Sequence, residues 1–382
     1  MDFSSSSFDM RPTYIEIDVQ KLNENLDIIQ QHLYKKDKRK VFIMAIIKAN
    51  AYGHGLVEIA RNLEKRQTDY LGVAFLEEGI ELRHNGITLP ILVLGGILGE
   101  QIPQFIDNNL TLTASSIEKF QQIEDYCEKH NTTAKVHLKI DTGMERIGVH
   151  YYSAKSLLEI ASRSKYVIVE GIFSHFANAD DADITNAKEQ LNRFKVVLEE
   201  ANNIGLSFRY VHLANSGAIL QLPESWFSMV RVGILMYGVY PNPHLPKKIP
   251  VKPILSWYTK IVYFKVIQPN HPVSYGSTWQ SDVQTRLITL PVGYGDGYHR
   301  RMSGQAQVIL RNRKYNVVGV ICMDQMMVNI NWDSGYNGDD VVLIGSQGDH
   351  MITIEDLAQW SGTVSYEILT SINKRVPRRY KH

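Results

Sequence analysis

Val41 to Ile47 is an unbroken run of seven apolar residues that leads straight into Lys48. The chain then turns through Ala49, Asn50, Ala51, Tyr52, Gly53, His54 and Gly55, and a helical pattern begins at Leu56, Ile59, Ala60 and Leu63. Such a run reads as a strand buried on both faces. A lysine at its carboxyl end sits at the mouth of an α/β core with little water around its stem. Desolvation lowers an ammonium pKa, and a neutral amine is what Schiff-base chemistry with a carbonyl group requires. The same lysine could instead simply end the strand and carry its head out to solvent.

The elements that must position Lys48 recur along the chain. Strand-like runs at 41–47, 71–75, 91–94, 110–113, 135–140, 167–173, 210–214 and 230–236 alternate with amphipathic segments such as Ile117–Tyr126, Ala154–Ala161 and Lys188–Ala201. Strands alternating with helices imply right-handed parallel crossovers. Eight units over roughly 200 residues suit a closed (β/α)8 barrel of TIM type better than an open doubly wound sheet. Five prolines crowd between Pro241 and Pro253, where neither regular helix nor central strand can run. Beyond them, runs at 254–267, 286–292, 306–311, 315–321, 326–330 and 340–345, separated by glycine-containing turns, read as an antiparallel sheet. Helices are expected from Thr353 to Gly362 and over Tyr366–Asn373. The expected organisation is a flexible tail at 1–11, a barrel domain at 12–245 and a mainly β C-terminal domain at 246–382.

The bulk properties exclude several classes. A chain of 382 residues exceeds what one core usually supports. Lys plus Arg number 41 against 40 Asp plus Glu, so no charge excess points to nucleic acid or an anionic membrane. Cys127 and Cys322 form no metal-type pair and no disulfide framework, which fits a reducing cytoplasm. No metal site is expected. The longest apolar stretches fall short of the ~20 residues that span a bilayer, and the N-terminus lacks the pattern of a secretory signal.

The octet Lys48-Ala49-Asn50-Ala51-Tyr52-Gly53-His54-Gly55 resembles the cofactor-lysine motif of the alanine racemases, pyridoxal 5'-phosphate enzymes of fold type III. The resemblance implies a barrel followed by a β domain, and allows the early strand Thr13–Ile17 to join the second domain. It implies that Lys48 holds the cofactor covalently and that Tyr52 contacts its phosphate. Lys139 to Arg146 is similar to a segment in which a lysine, often carbamylated, steers an arginine toward the cofactor and the substrate carboxylate. Glu145 stands where the family often has glycine. His175, at the end of the sixth strand, matches a histidine that bridges the catalytic tyrosine and an arginine. Ser216, Gly233 and Ile234 match the phosphate cradle, with Asn215 as a neighbour. Barrels usually build such cradles at the ends of strands seven and eight.

By the same resemblance Arg231 faces the pyridine nitrogen. An arginine keeps its proton near neutral pH, so it donates to an unprotonated nitrogen, which weakens the ring as an electron sink and favours racemisation over transamination. Racemisation needs acid/base groups on two faces of the substrate. Lys48 serves one, and Tyr275, in Val273-Ser274-Tyr275-Gly276-Ser277, matches the family's tyrosine for the other. Met323 matches a backbone amide that meets the substrate carboxylate. Tyr294, Asp324 and Tyr366 match residues that gate the site, Tyr366 also touching the phosphate. The family completes each active site across a homodimer. The resemblance thus implies an alanine racemase making D-alanine for peptidoglycan. The rival readings are a broader-specificity or serine racemase on the same scaffold, a decarboxylase of the same fold type, which Arg231 and Tyr275 oppose, and a non-catalytic cofactor-binding barrel, which the second domain opposes.

Overall fold

The computed structural model describes residues 10–37 and 40–382, so residues 1–9 of the expected tail lie outside it. The described chain divides into two compact units. One comprises Asn23–Ala51 and Gly55–Val251; the other comprises the stretch ending at Leu22, Tyr52–His54, and Lys252–His382.

Eight parallel strands build the first unit. They are Phe42–Ile46, Tyr70–Val73, Ile91–Val93, Leu112–Ala114, Ala134–Asp141, Val167–Phe173, Tyr210–His212 and Met229–Val232. The first pairs with the eighth through Ile43 opposite Val230 and Met44 opposite Arg231. The third and fourth meet at a parallel bridge between Leu92 and Thr111, where Thr111 N donates to Ile91 O at 2.8 Å. These contacts close the ring of a (β/α)8 barrel. The helices bury the faces their spacing predicts. Leu56–Lys65 buries Leu56, Ile59, Ala60 and Leu63, an i, i+3, i+4, i+7 stripe. Ile117–His130 starts where the Ser116 hydroxyl accepts from Lys119 N and stops at Asn131, in left-handed conformation.

The run at 230–236 is not one strand. It ends at Val232; Gly233 leaves the strand region at φ −105°, ψ −114°, and Ile234–Tyr237 forms a helical turn. The departure swings the amides of Gly233 and Leu235 onto the Ser216 hydroxyl at 3.1 and 3.5 Å.

The second unit is a sheet whose strand order runs Tyr263–Ile267, Thr285–Leu290, Met326–Asn329, Arg313–Val318, Gln307–Leu310, Asp340–Gln347, Leu255–Lys260, Tyr14–Asp18, Arg378–Lys381. The run at 254–267 is broken at Ile261 and Val262 because its halves take different partners, Asp340–Gln347 and Thr285–Leu290. The early strand Tyr14–Asp18 lies in this sheet, antiparallel to Leu255–Lys260 and parallel to Arg378–Lys381. Helix Ile354–Ser361 falls within the expected bounds Thr353 to Gly362. Thr353 and Asp356 exchange side-chain-to-amide hydrogen bonds, and Gly362 closes the helix at φ 67°. Among the described residues no helix is long and apolar enough to cross a membrane.

Candidate active site

Lys48 follows the first barrel strand at once, on an unusual turn. Ala49, Asn50, Ala51 and Tyr52 all have φ between 52° and 55°, a short left-handed helical turn. Non-glycine residues lose roughly 1–2 kcal/mol each in that conformation, so other contacts must hold it. Ala51 N donates to Ile47 O at 2.8 Å and Gly55 N to Asn50 O at 2.9 Å. Asn50 Oδ1 accepts from Leu56 N at 2.9 Å, and Glu78 Oε1 accepts from Ala49 N at 2.6 Å. Glu78 is clamped in turn by Ala74 N at 2.7 Å. Burial pushes the Lys48 ammonium below its ordinary pKa, and the charges of Arg146 and Arg231 push the same way. That favours the neutral, nucleophilic amine.

Arg231, on the eighth strand, is buried among bases and carbonyls. Nη1 donates to His212 Nδ1 at 3.1 Å and to His212 O at 2.9 Å. Nη2 donates to Ser174 O and His175 Nδ1 at 2.9 Å and to Leu213 O at 3.1 Å. No carboxylate pairs with it among the described residues. Burial, then Arg146, brings its pKa down to about 9, which still leaves it protonated near neutral pH. Because arginine only donates, the contacted nitrogens of His175 and His212 must be bare. Burial holds both rings well below the usual histidine pKa, Arg231 adding to it for His175 and His137, then Arg231, for His212, so they stay neutral. Lys139, two residues beyond His137, lies 4.6 Å over the Phe173 ring and is pushed well below the lysine range by burial and then by Arg231. Arg146 itself is exposed, with its backbone amide on Asp141 Oδ2 at 3.2 Å.

Ser216, Gly233 and Ile234 stand together, joined by the hydrogen bond from Gly233 N to Ser216 Oγ. Ile234 opens a helical turn, where first amides have no intrahelical acceptor. Asn215 caps the helix Ser216–Gln221 through Ala218 N at 3.0 Å. Gly217 lies so close to Ala179 that a Cβ would come within 2.8 Å of its carbonyl oxygen.

In the second unit, the Tyr52 and Tyr366 rings lie 6.0 Å apart, and burial raises the Tyr52 phenol pKa. Gly53 (φ 81°) admits no side chain, since a Cβ would fall 2.1 Å from Leu369 O. Tyr275 is 71% exposed and borders a groove of about 640 Å³ lined by Tyr263, Lys265, Val273, Cys322, Gln325 and Met327, among others. Tyr294 and Met323 are also exposed. Asp324 pairs with Arg375 at 2.8 Å, and Arg375 also meets the buried Asp296 at 2.7 Å.

Several residues that shape these positions escaped the sequence reading. Glu78 pins the Lys48 turn, and His137 and His212 carry the Arg231 network; their signal was an inward register shared with Lys139. Ser274, just before Tyr275, sits at φ 69°, ψ −178°, a region essentially reserved for glycine. Its hydroxyl holds Val320 O at 2.6 Å.

The profile described as alanine racemase, N-terminal domain, matches residues 17–241, and that of the C-terminal domain matches residues 254–380. The alanine racemase of Halothermothrix orenii is 39% identical, over 97% of each chain. That of Carboxydothermus hydrogenoformans is also 39% identical, over 97% of this chain and all of the relative. A solved alanine racemase of Clostridium difficile superposes with TM-score 0.90 at 38% identity, covering 97% of this chain and 96% of that one. A histidine racemase of Leuconostoc mesenteroides superposes with TM-score 0.88 at 28% identity, over 98% and 99%. With both of its halves matched by the two profiles and relatives aligned along nearly its whole length, the chain belongs to the alanine racemase family.

Proposed function

We propose that this chain interconverts L- and D-alanine, with pyridoxal 5'-phosphate held at the carboxyl end of the barrel. The observation that supports this most is Arg231. Among the described residues its hydrogen bonds are made through Nη1 and Nη2, which leaves Nε–H as a donor for an acceptor such as a pyridine nitrogen. The other donors fit the same group. Lys48 offers a desolvated amine, and the Ser216 hydroxyl with the Gly233 and Ile234 amides and Asn215 offers a phosphate cradle; the family resemblance assigns Tyr52 and Tyr366 to the phosphate as well. When bound, the cofactor supplies a carbonyl that condenses with an amine and a ring that withdraws electrons from the substrate's α-carbon.

The chain's own residues do the rest. Lys48 Nζ exchanges the α-proton on one side, and the Tyr275 hydroxyl, supplied by a second copy of the chain, exchanges it on the other. Arg146 and the Met323 amide hold the substrate carboxylate, Tyr294 and Asp324 gate access, and His175 orients Arg231 toward the site. Lys139, its pKa drawn well down by burial, is placed to take up carbon dioxide as a carbamate with release of a proton, which intact mass measurement detects. A cytoplasmic homodimer supplying D-alanine for peptidoglycan accords with this reading.

The test is direct. Purified holoenzyme incubated with either alanine enantiomer should approach an equal mixture; absence of D-alanine from L-alanine would end the proposal. A second reading, broader specificity, draws support from the histidine racemase on the same fold. Parallel assays with L-serine and L-histidine decide it.

A further inference from the structure

Inside the barrel, polar groups continue past Arg231 toward the strands' amino ends. His212 Nε2 lies 2.8 Å from His137 Nδ1. His137 Nε2 is a buried nitrogen that finds no hydrogen-bond partner among the described residues, and the carboxylate of Glu170 faces it at 3.4 Å. Glu170 Oε1 also accepts from the Tyr70 hydroxyl at 2.6 Å, and that hydroxyl lies 2.6 Å from Thr111 Oγ1. His137 and His212 are fully buried. We propose that Glu170, which is partly exposed, is the counter-charge of Arg231, linked to it through His137 and His212 as a chain of donors and acceptors of one direction, and so a positioning residue for whatever group Arg231 binds.

The direction follows from the two ends. Arg231 can only donate and an ionised carboxylate can only accept. Arg231 donates to Nδ1 of His212, so the proton of His212 is on Nε2 and points at Nδ1 of His137. The proton of His137 is then on its own Nε2 and points at Glu170. Each ring has one tautomer that satisfies both neighbours, and reversing either would set two protons, or two lone pairs, against each other. Polarisation along such a chain strengthens its bonds in a low-dielectric interior.

The surroundings leave Glu170 this task. The groups whose charge bears on Arg231, or on which its charge bears, are Arg146, Lys139, Lys48, His137, His175 and His212. None is an acid. Asp141 and Glu78 act on Lys139 and Lys48 instead, and Glu170 is the carboxylate in contact with the histidine chain. Burial alone would raise its pKa, but the facing His137 ring and the hydrogen bond from the Tyr70 hydroxyl outweigh that and hold the carboxyl below its ordinary range. The backbone is shaped around the chain as well. Gly171 lies against His137, where a Cβ would come within 2.6 Å of Nδ1, and the strand register shifts between Val136 and His137. Both features make room for a ring that smaller side chains would not need.

The proposal rests on the reading of Arg231 as a ligand-facing donor, and its test separates the two. Nitrogen-15 NMR of histidine-labelled holoenzyme, with His137→Gln and His212→Gln for assignment, should show both rings protonated on Nε2 and bare on Nδ1 between pH 6.5 and 8.5. Glu170→Gln replaces a charged acceptor by a neutral one. It should move the Nε2 signals of both rings and lower kcat about tenfold, with KM for alanine unchanged; Glu170→Asp should recover part of both. Tyr70→Phe, which strips a donor from Glu170, should move the His137 signal even if Glu170→Gln does not fold. A proton on Nδ1 of either ring in the wild type overturns the proposal, as does a Glu170→Gln enzyme with unchanged histidine signals and kcat. A wild type that fails to racemise alanine but shows these tautomers would remove the functional reading and leave the chain in place.

Discussion

Lys48, Lys139, His175 and Arg231 stand in the barrel where burial sets their protonation, whereas Tyr275, Tyr294 and Met323 of the second unit face solvent. The first group is tuned within one chain. Desolvation lowers the pKa of the amines, and the histidines around Arg231 accept hydrogen bonds from it without cancelling its charge. The second group is held by backbone geometry and stands exposed. Ser274 is strained and hydrogen-bonded so that Tyr275 is presented, yet the phenol itself is bare. A barrel site can be prepared in advance; an exposed tyrosine is completed by whatever surface covers it, which we propose is a second copy.

Lys48→Ala should break the barrel side outright. It should abolish the visible absorbance of the bound cofactor and lower racemisation by more than the ~10²–10⁴-fold typical of an acid/base group, because it removes a covalent anchor as well. A variant that keeps that absorbance would contradict the assignment. Tyr275→Phe should lower racemisation by about 10²–10⁴-fold while cofactor binding survives. Exchange of the α-proton with solvent should persist for the enantiomer served by Lys48. Mixing Lys48→Ala and Tyr275→Phe subunits should restore activity in dimers that carry one intact site; silence from verified mixed dimers would place Tyr275 elsewhere.

A smaller effect is expected from Arg231→Lys, which keeps the charge but loses the fork that meets His175 and His212 together. A loss of about 10–100-fold corresponds to hydrogen bonds involving a charged group. Activity within twofold of the parent would show that the network is incidental. The smallest effect concerns pH. His137, His175 and His212 have folded-state pKa values lowered by burial, so the unfolded chain binds more protons below its own histidine pKa, about 6.5. Stability is therefore present above that pH and falls as pH drops toward the folded values. Lys48 and Lys139 have the same sign, since the unfolded chain holds their protons more tightly. The urea midpoint of the cofactor-free barrel should be lower at pH 5.5 than at pH 7.5. An unchanged midpoint would mean these bases are not buried neutral.

What the sequence disclosed divides along physical lines. Local signals were legible: the apolar run before Lys48, the helix bounds at Thr353 and Gly362, the stripe at Leu56, Ile59, Ala60 and Leu63. Each is written in adjacent residues whose energetics are local. The bend at Gly233 was not, because an apolar run in a strand and in a helical turn look alike. Glu78 and Glu170 were invisible for a different reason. A carboxylate whose partners lie 29 or 33 residues away in the chain, as Ala49 and His137 do, has no signature in its neighbours. The fold class could be reached from alternation alone, but the candidate roles of Arg231 and Tyr275 came through resemblance, since a lone arginine or an exposed tyrosine announces nothing by spacing.

The strand Tyr14–Asp18 carries one more consequence. It is held between Leu255–Lys260 and Arg378–Lys381, segments made long after it leaves the ribosome. At about 5–20 residues per second, the wait for its last neighbour is on the order of tens of seconds. Through that interval both of its edges are open to wrong partners, a recognised route to aggregation. The barrel strands, complete by Val232, have no such wait. Biogenesis of this protein is therefore paced by the moment at which the chain's end captures its own beginning.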